Sequence, residues 1–320
     1  MDLALPEVAA QFAHAADRAL AALGGLEVAR RAEADPAIRA GALKDTLDAL
    51  GVLDLDPRAD LDSAAMAAEL VRVCGRCVVP FPIVGYVMAT AGDPTPWALA
   101  SAPPLRVDHG DLFDRWHICD FDARRTEATP SGRPLASRLA PFTTPLAQTR
   151  TEASEGHGSE VALLCTLWAS YMLGVAERAL ELAIAHVKGR VQFGRPLSEL
   201  QSVRFEIADA TVAVDGLREV IRFTLWRVAT DGAAAKSDAF AARLAAQDVA
   251  QPVLRLAQQL HGAAGLCDEY AISVLVRHFQ PALRLPVDSD AMSDILFGAL
   301  QEGGFSTLFP LRAGDTGVPQ

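Results

Sequence analysis

The sequence has little positive charge and lacks the short motifs that identify many enzymes. Its 320 residues include 29 Lys and Arg against 40 Asp and Glu, which gives a formal net charge of -11. Nucleic-acid binding needs a clustered positive surface, so this balance argues against nucleic acid as a partner. The sequence also contains no Gly-rich dinucleotide fingerprint, phosphate-binding loop, GxSxG elbow or HExxH motif.

Cysteine is scarce, and its spacing does not complete a metal site. The five cysteines are an odd number, and no charged-then-apolar leader precedes them, so we expect reduced thiols in the cytoplasm. Cys74 and Cys77 have CxxC spacing, but no second CxxC and no His partner follow, whereas structural zinc needs four ligands. The pair is predicted to be two buried thiols on a helix.

Two histidines lie among acidic residues, but their spacing matches no known ligand template. We expect a solvated acidic loop there and no metal. The residues are His109 and His117 with Asp108, Asp111, Asp114 and Asp120.

Long apolar runs are also missing. The longest, residues 161–176, is interrupted by Ser and Thr and stops short of the roughly 20 residues that span a bilayer. This stretch is predicted to be a buried core helix, with no membrane partner.

The residues that are present predict a mostly α-helical fold. Ala and Leu recur three to four residues apart over about 5–90, where Asp60 or Asp62 is expected to cap the helix before Pro80. Eight prolines then punctuate a section that favours short strands and turns. We expect an N-terminal helical domain (1–91), a reduced β-like middle section with a linker (92–158), a C-terminal helical bundle (159–302) and a tail (303–320).

The bundle is predicted from one continuous apolar stripe and three similar ones. Stripes over 161–187, 236–262 and 268–280 each bury one helix face, so an antiparallel bundle of four helices is the economical packing. The stripe after Pro196 consists of Leu200, Val203, Ile207, Ala210, Val214, Leu217, Ile221 and Leu225.

Two glycine-bearing segments interrupt the bundle, "GRVQFGRPL" at 189–197 and "QQLHGAAGLCDEY" at 258–270. One interpretation is that their glycines only end helices or permit close packing. Together, however, the segments resemble the acyl-CoA dehydrogenases, which have GxxxxALxxAxxxxxxRxQFGxPLxxxQ and, further along, QxxGGxGxxxE. This sequence has "GVAERALELAIAHVKGRVQFGRPLSELQ" at 174–201 and "QLHGAAGLCDEY" at 259–270. The expected fold is therefore acyl-CoA dehydrogenase-like.

The resemblance implies that these segments bind the ADP half of FAD between subunits. Arg190 would pair with the pyrophosphate, Gln192 and Gln201 would supply neutral hydrogen bonds, and Phe193 would form an apolar wall. The second motif would approach from another chain, its small residues letting backbone amides come close. Its implied contact residues are Gln259, Leu260, His261, Gly262 and Ala263.

The family reaction is α,β-dehydrogenation of an acyl-CoA thioester, in which a carboxylate removes the α-proton and FAD accepts the β-hydride. Here the position that is usually Glu holds Pro286, and the alternative base position holds Leu164. Neither residue can accept a proton.

The middle section departs from the family as well, because it is shorter and has no evident Trp-x-Thr strand for the flavin ring, although Trp116 could be a remnant of one. Because it lacks the catalytic acid and has a shortened middle section, the sequence resembles the shorter subunit of bacterial heterotetrameric (α2β2) steroid-CoA dehydrogenases. Such a subunit implies a longer acyl-CoA dehydrogenase partner that supplies the base, a bulky acyl-CoA substrate and an electron acceptor for reduced FAD.

Two alternatives stay open at this point. One is a stand-alone flavoenzyme that uses Asp288, Asp290 or Glu160 as its base, since these acids lie near the expected base positions. The other is a non-redox scaffold or binding protein that keeps the motifs only for packing.

Overall fold

The N-terminal part folds into helices separated at the breaks that the sequence predicts. The structure is a computed structural model, and it describes residues 4–101, 103–149, 154–192 and 194–303. Asp60 accepts a hydrogen bond from the backbone N–H of Ser63 at 2.7 Å and thereby caps the helix before Pro80, as expected. The helices are α1 (Glu7–Leu23), α2 (Leu26–Ala34), α3 (Lys44–Ala49), α4 (Leu61–Arg76) and α5 (Ile83–Tyr86).

The Pro-rich middle section forms a five-stranded sheet in the order β1-β3-β4-β5-β2. Strands β1 and β3 pair in parallel, with Trp97 opposite His117, and the other neighbours are antiparallel. Ser154, from the stretch predicted as a linker, bridges to Arg125 and so extends the sheet. The strands are β1 (Trp97–Leu99), β2 (Arg106–Asp108), β3 (Trp116–Cys119), β4 (Arg125–Pro130) and β5 (Thr143–Gln148).

The expectation of a solvated loop around the two histidines is wrong. His109 and His117 are each only 5% exposed, because β2 and β3 pack into the sheet and all four residues of β3 are buried. Residues distant in sequence provide hydrogen-bond partners for the polar side chains of this section. Asp93 lies 2.8 Å from His117 Nε2, and Arg39 forms two hydrogen bonds with Asp111. No group of three or more potential metal ligands occurs among the described residues.

The C-terminal part is the predicted helical bundle with one further helix, α10, packed on α8. Six residues of the predicted stripe on α7 are buried, because a spacing of three to four residues places them on one face. The elements are α6 (Gly158–Gly189), β6 (Val191–Gln192), β7 (Arg195–Pro196), α7 (Gln201–Asp231), α8 (Lys236–His261), α9 (Ala271–Arg284) and α10 (Ser289–Gly303).

Helix α6 is the centre of the molecule. By length and composition it could cross a membrane, but 83% of its apolar window is buried inside the protein, as in a core helix. It packs against α8, α7 and, from the N-terminal part, α4.

The contact of α4 with α6 depends on two glycines. A Cβ at Gly75 would lie 2.1 Å from Tyr171 O, and one at Gly174 would lie 1.9 Å from Arg72 O. Beside this crossing, Glu177 on α6 is only 8% exposed and accepts hydrogen bonds from Arg72, Arg76 and Arg218. The N-terminal helices are therefore joined to the bundle by close backbone packing and by a buried ion network.

The CxxC pair consists of two free thiols, as predicted. Cys74 is buried on α4, and Cys77 is half-buried at its C-terminal cap. Burial raises the pKa of Cys77 to about 11 and the pKa of Cys74 well above its ordinary value. Both side chains are thus protonated and inert at neutral pH.

Candidate cofactor site

The two motifs lie side by side at one end of the bundle, within one chain. Helices α6 and α8 run in the same direction because the single helix between them runs back, so both end at the same side. The rings of His186 and His261 stack there, with centroids 4.2 Å apart. Arg190 follows His186 by one helical turn. Within one chain, the ends of the two helices that carry the motifs therefore lie side by side.

The first motif forms a small hairpin between α6 and α7. Helix α6 ends because Arg190 adopts an extended backbone conformation, and β6 and β7 then pair antiparallel. Gly194 supplies the turn with a φ of 77°, which a side chain would disfavour. Leu197 N–H donates to Arg190 O at 2.9 Å and closes the hairpin. Phe193, the predicted apolar wall, lies outside the described residues.

The polar side chains of the motifs are available for a ligand. Arg190, Gln192, Gln201 and Gln259 are all exposed, and within the described part of the chain none of them has a side-chain hydrogen bond or ion pair. An exposed Arg without a carboxylate partner suits a phosphate, and exposed amides suit the neutral polar groups of a dinucleotide. These residues fit the ADP half of a dinucleotide.

Of the remaining residues of the second motif, two are exposed to a ligand and the others are partly buried. Gly262 and Ala263 are exposed, and a Cβ at Gly262 would meet nothing within 4 Å, so the backbone there is accessible. His261 is half-buried, with Nδ1 2.7 Å from Ala257 O. Leu260 packs against the hydrophobic core, which favours a structural role for its side chain.

Two histidines and Arg190 lie close together at the motif end of the bundle. Partial burial lowers the pKa of His186, and the neighbouring His261 and Arg190 lower it further. Because His186 is therefore mainly neutral, Arg190 is the group there whose positive charge does not depend on pH near neutrality.

The cavity at the expected base position is too small for the ring half of a flavin. A cavity between α5, the sheet, α6 and α9 is lined by Pro286 together with Trp97, Trp116 and Trp168. Its volume is about 40 Å³, which is room for a few water-sized groups at about 10–15 Å³ each. Trp116, the possible remnant of a flavin contact, is completely buried and donates its Nε1–H to Gly110 O at 3.1 Å.

The expected base positions carry no acid, and the alternative acids are elsewhere. Leu164 is fully buried in the core and does not line the cavity. Asp288 and Asp290 are exposed at the start of α10, where Asp288 accepts a hydrogen bond from Ala291 N–H at 3.1 Å. Glu160 lies 3.5 Å from His157 Nδ1 and also stays outside the cavity.

The acid that does line the cavity is Asp108, which the sequence-based interpretation assigned to a solvated loop. Burial raises its pKa to about 7, although the Thr143 hydroxyl donates to it at 3.3 Å. Burial, with the nearby charges of Arg39 and His278, lowers the pKa of the adjacent His109 well below its ordinary value. The only sequence signal for Asp108 was the short β-like segment that contains it.

Replacing Asp108 with Asn is expected to raise the free energy of unfolding by about 2 kcal/mol near pH 8. The folded-state pKa lies above the ordinary value of 3.8, so the contribution of Asp108 to stability is complete below about pH 4 and is lost as the pH rises through about 7. Urea denaturation across this range tests the effect, with the exposed Asp114→Asn as control. Parallel pH profiles for wild type and Asp108→Asn would contradict the assignment.

Known proteins share both sequence and fold with parts of this chain. A family model described as "Acyl-CoA dehydrogenase, C-terminal domain" matches residues 166–283, which include the end of α6, the hairpin and the second motif. Residues 166–283 are therefore similar to the C-terminal domain of the acyl-CoA dehydrogenases. Members of that family are FAD-dependent oxidoreductases acting on acyl-CoA thioesters, so the family cofactor agrees with the donors at the motif end of the bundle.

Among curated proteins, the chain is similar to "Acyl-CoA dehydrogenase IpdE2" of Mycobacterium tuberculosis. The two are 28% identical over 233 residues, covering 64% of this chain and 68% of the relative. Two other acyl-CoA dehydrogenases are 31% and 34% identical, but those matches span only 28% and 34% of their lengths. The sequence similarity to those two is thus confined to a part of each relative.

Two solved structures share the acyl-CoA dehydrogenase fold over nearly the whole chain. The ChsE4-ChsE5 complex from Mycobacterium tuberculosis matches with a TM-score of 0.75 at 18% identity, covering 94% of this chain and 99% of that one. A structure titled "Tcur3481-Tcur3483 steroid ACAD G363A variant" matches with a TM-score of 0.80 at the same identity and coverage. The predicted fold class, mostly α with a reduced β section, is confirmed.

Proposed function

We propose that this chain is the shorter subunit of a heteromeric, FAD-dependent acyl-CoA dehydrogenase. One observation carries the proposal: the residues proposed to bind ADP are exposed and without side-chain partners in the described part of the chain, while the cavity at the base position is narrow and has Pro286 where the family has Glu. In this proposal the chain holds one end of the cofactor, and the partner subunit completes the reaction site.

In this proposal each residue of the chain has a limited task. The Arg190 guanidinium binds the pyrophosphate through its planar fork, and Gln192, Gln201 and Gln259 orient the dinucleotide by neutral hydrogen bonds. Bound FAD supplies the acceptor for the β-hydride, and a carboxylate of the partner subunit removes the α-proton.

The partner is a longer acyl-CoA dehydrogenase, and the substrate is a bulky acyl-CoA of the steroid side-chain type. Support comes from the two structural neighbours, one titled as a complex of two proteins and the other as a steroid acyl-CoA dehydrogenase. Reduced FAD then needs an external electron acceptor. We place the assembly in the cytoplasm.

Flavin reduction by substrate tests this function. In the complex with the longer partner, a steroid side-chain CoA thioester should reduce the flavin, measured as loss of its visible absorbance, faster than a straight-chain thioester of equal chain length. If the partner supplies the base, Glu160→Gln, Asp288→Asn and Asp290→Asn in this chain should each keep the rate. A rate of flavin reduction lower by about 10²-fold or more in any of these variants would mean that this chain supplies the base, and it would support the stand-alone alternative.

A second candidate function, a non-redox scaffold, is favoured by the small tryptophan-lined cavity, which holds no large cofactor. It predicts that the protein folds well but does not bind FAD, with or without the partner. Equilibrium dialysis of FAD against the complex separates the two proposals, because only the first requires binding through Arg190.

A further inference from the structure

One histidine beside the cofactor residues has no task in the proposed function. The His186 ring is half-buried at the end of α6 and stacks on the ring of His261 from α8, with centroids 4.2 Å apart. Arg190 follows one turn later, and its backbone N–H donates to His186 O at 2.9 Å. Because residues four apart lie on the same face of a helix, two imidazoles and a guanidinium lie together where the motifs meet.

This cluster of His186, His261 and Arg190 has no acidic partner. Within the described ranges, the side chains of His186 and Arg190 form no hydrogen bond and no ion pair, while Nδ1 of His261 lies 2.7 Å from Ala257 O. The charged groups that act on His186 are His261 on α8 and Arg190 at the end of its own helix. Partial burial and these two neighbours lower the pKa of His186, so its ring is mainly neutral near pH 7.

The other histidines that are not exposed have a different environment. Each of them has a carboxylate oxygen within 3.5 Å, supplied by Asp93, Asp108, Glu160 or Glu33. In the part of the chain that the structure describes, no such carboxylate lies beside His186 or His261. An anionic ligand is therefore the counter-charge that fits the cluster. The histidines with a carboxylate are His109, His117, His157 and His278.

We propose that His186 binds the pyrophosphate of FAD together with Arg190, and that its imidazole takes up one proton from the solvent when the cofactor binds. A phosphate oxygen accepts a stronger hydrogen bond from an imidazolium than from a neutral ring, and its negative charge stabilises the protonated form. Both phosphates of FAD are esterified, so the cofactor itself gains no proton near neutral pH. This inference rests on the proposed function, because it adds a residue to the same cofactor site.

The affinity for FAD should therefore depend on pH. Without cofactor the pKa of His186 lies below its ordinary value of 6.5, and the bound pyrophosphate raises it. Between these two pKa values, lowering the pH by one unit lowers the dissociation constant of FAD by up to about tenfold, and the effect ends below the lower pKa.

Titration calorimetry of the heteromer, freed of flavin and titrated with FAD in phosphate-free buffers, measures both quantities. The dissociation constant should be several-fold lower at about pH 6 than at about pH 8. Near neutrality, two buffers with different ionisation enthalpies should show an uptake of about half a proton or more per FAD.

Three variants assign the proton. His186→Gln and His186→Phe should both lose the uptake and the pH dependence, and the second keeps a ring to stack on His261. His14→Gln, at an exposed position of α1, should keep both effects. An uptake that persists in both His186 variants, or equal wild-type affinities across the pH range, would overturn this inference and leave the proposed function standing. A wild-type heteromer that binds no FAD at any pH would overturn the proposed function as well.

Discussion

Replacing Arg190 with alanine is expected to reduce the flavin retained by the complex at least tenfold and to leave the melting temperature nearly unchanged. Arg190 is exposed and has no partner in the described part of the chain, so the folded chain loses little when its side chain is removed. A charge-assisted hydrogen bond to phosphate contributes about 1.5–3 kcal/mol, and about 1.4 kcal/mol corresponds to a factor of ten. Flavin absorbance after gel filtration measures the loss.

The same hairpin provides the control for this experiment. Arg195 is also exposed and carries the same charge, but it lies on β7, beyond the turn at Gly194. Arg195→Ala should therefore retain flavin, and Arg190→Lys should retain part of it, because an ammonium keeps the charge but loses the planar fork. Equal losses in the two alanine variants would mean that general positive charge, and not a specific contact, holds the cofactor.

Replacing Gly174 with alanine is expected to destabilise the chain by about 3 kcal/mol or more. The added Cβ would lie 1.9 Å from the carbonyl oxygen of Arg72, so α4 and α6 must separate along their contact. Urea denaturation monitored by far-UV circular dichroism measures the effect as a lower midpoint.

A glycine in a different environment gives the opposite expectation. Gly216 lies inside α7, and a Cβ there would meet nothing within 4 Å. Gly216→Ala should stabilise the chain by up to about 1 kcal/mol, since alanine favours the helix. If the Gly174 and Gly216 variants unfolded at the same midpoint, the close crossing of α4 and α6 would be wrong.

Local patterns were sufficient for much of the fold. The stripe on α7 could be predicted because helical periodicity depends on near neighbours, and the cap at Asp60 depends on a residue only three positions away. The burial of His117 could not be predicted, because it follows from the parallel pairing of β3 with β1 and from its contact with Asp93.

The functional site also contains some features that local sequence patterns predict and others that depend on contacts between distant elements. The motif around Arg190 was recognisable because its residue types and spacing are specific, and bundle topology then explains why it meets the motif around His261. Two features could not be predicted: the position of the Asp108 carboxyl in the cavity wall and the burial of the Arg243 guanidinium. Each arises where elements distant in sequence cover a charged side chain. The hydrophobic periodicity of a helix or strand contains no information about such contacts.

The flavin content of the chain purified alone and with its longer partner tests the central claim most directly. A longer acyl-CoA dehydrogenase encoded by a neighbouring gene is co-expressed, both preparations pass through gel filtration, and their visible spectra are compared. We expect a colourless chain alone and a yellow complex, because in the proposed heteromer this chain supplies the ADP contacts and its partner supplies the ring site and the base. A chain that carries flavin by itself, or a stable complex that stays colourless after addition of FAD, would contradict the account.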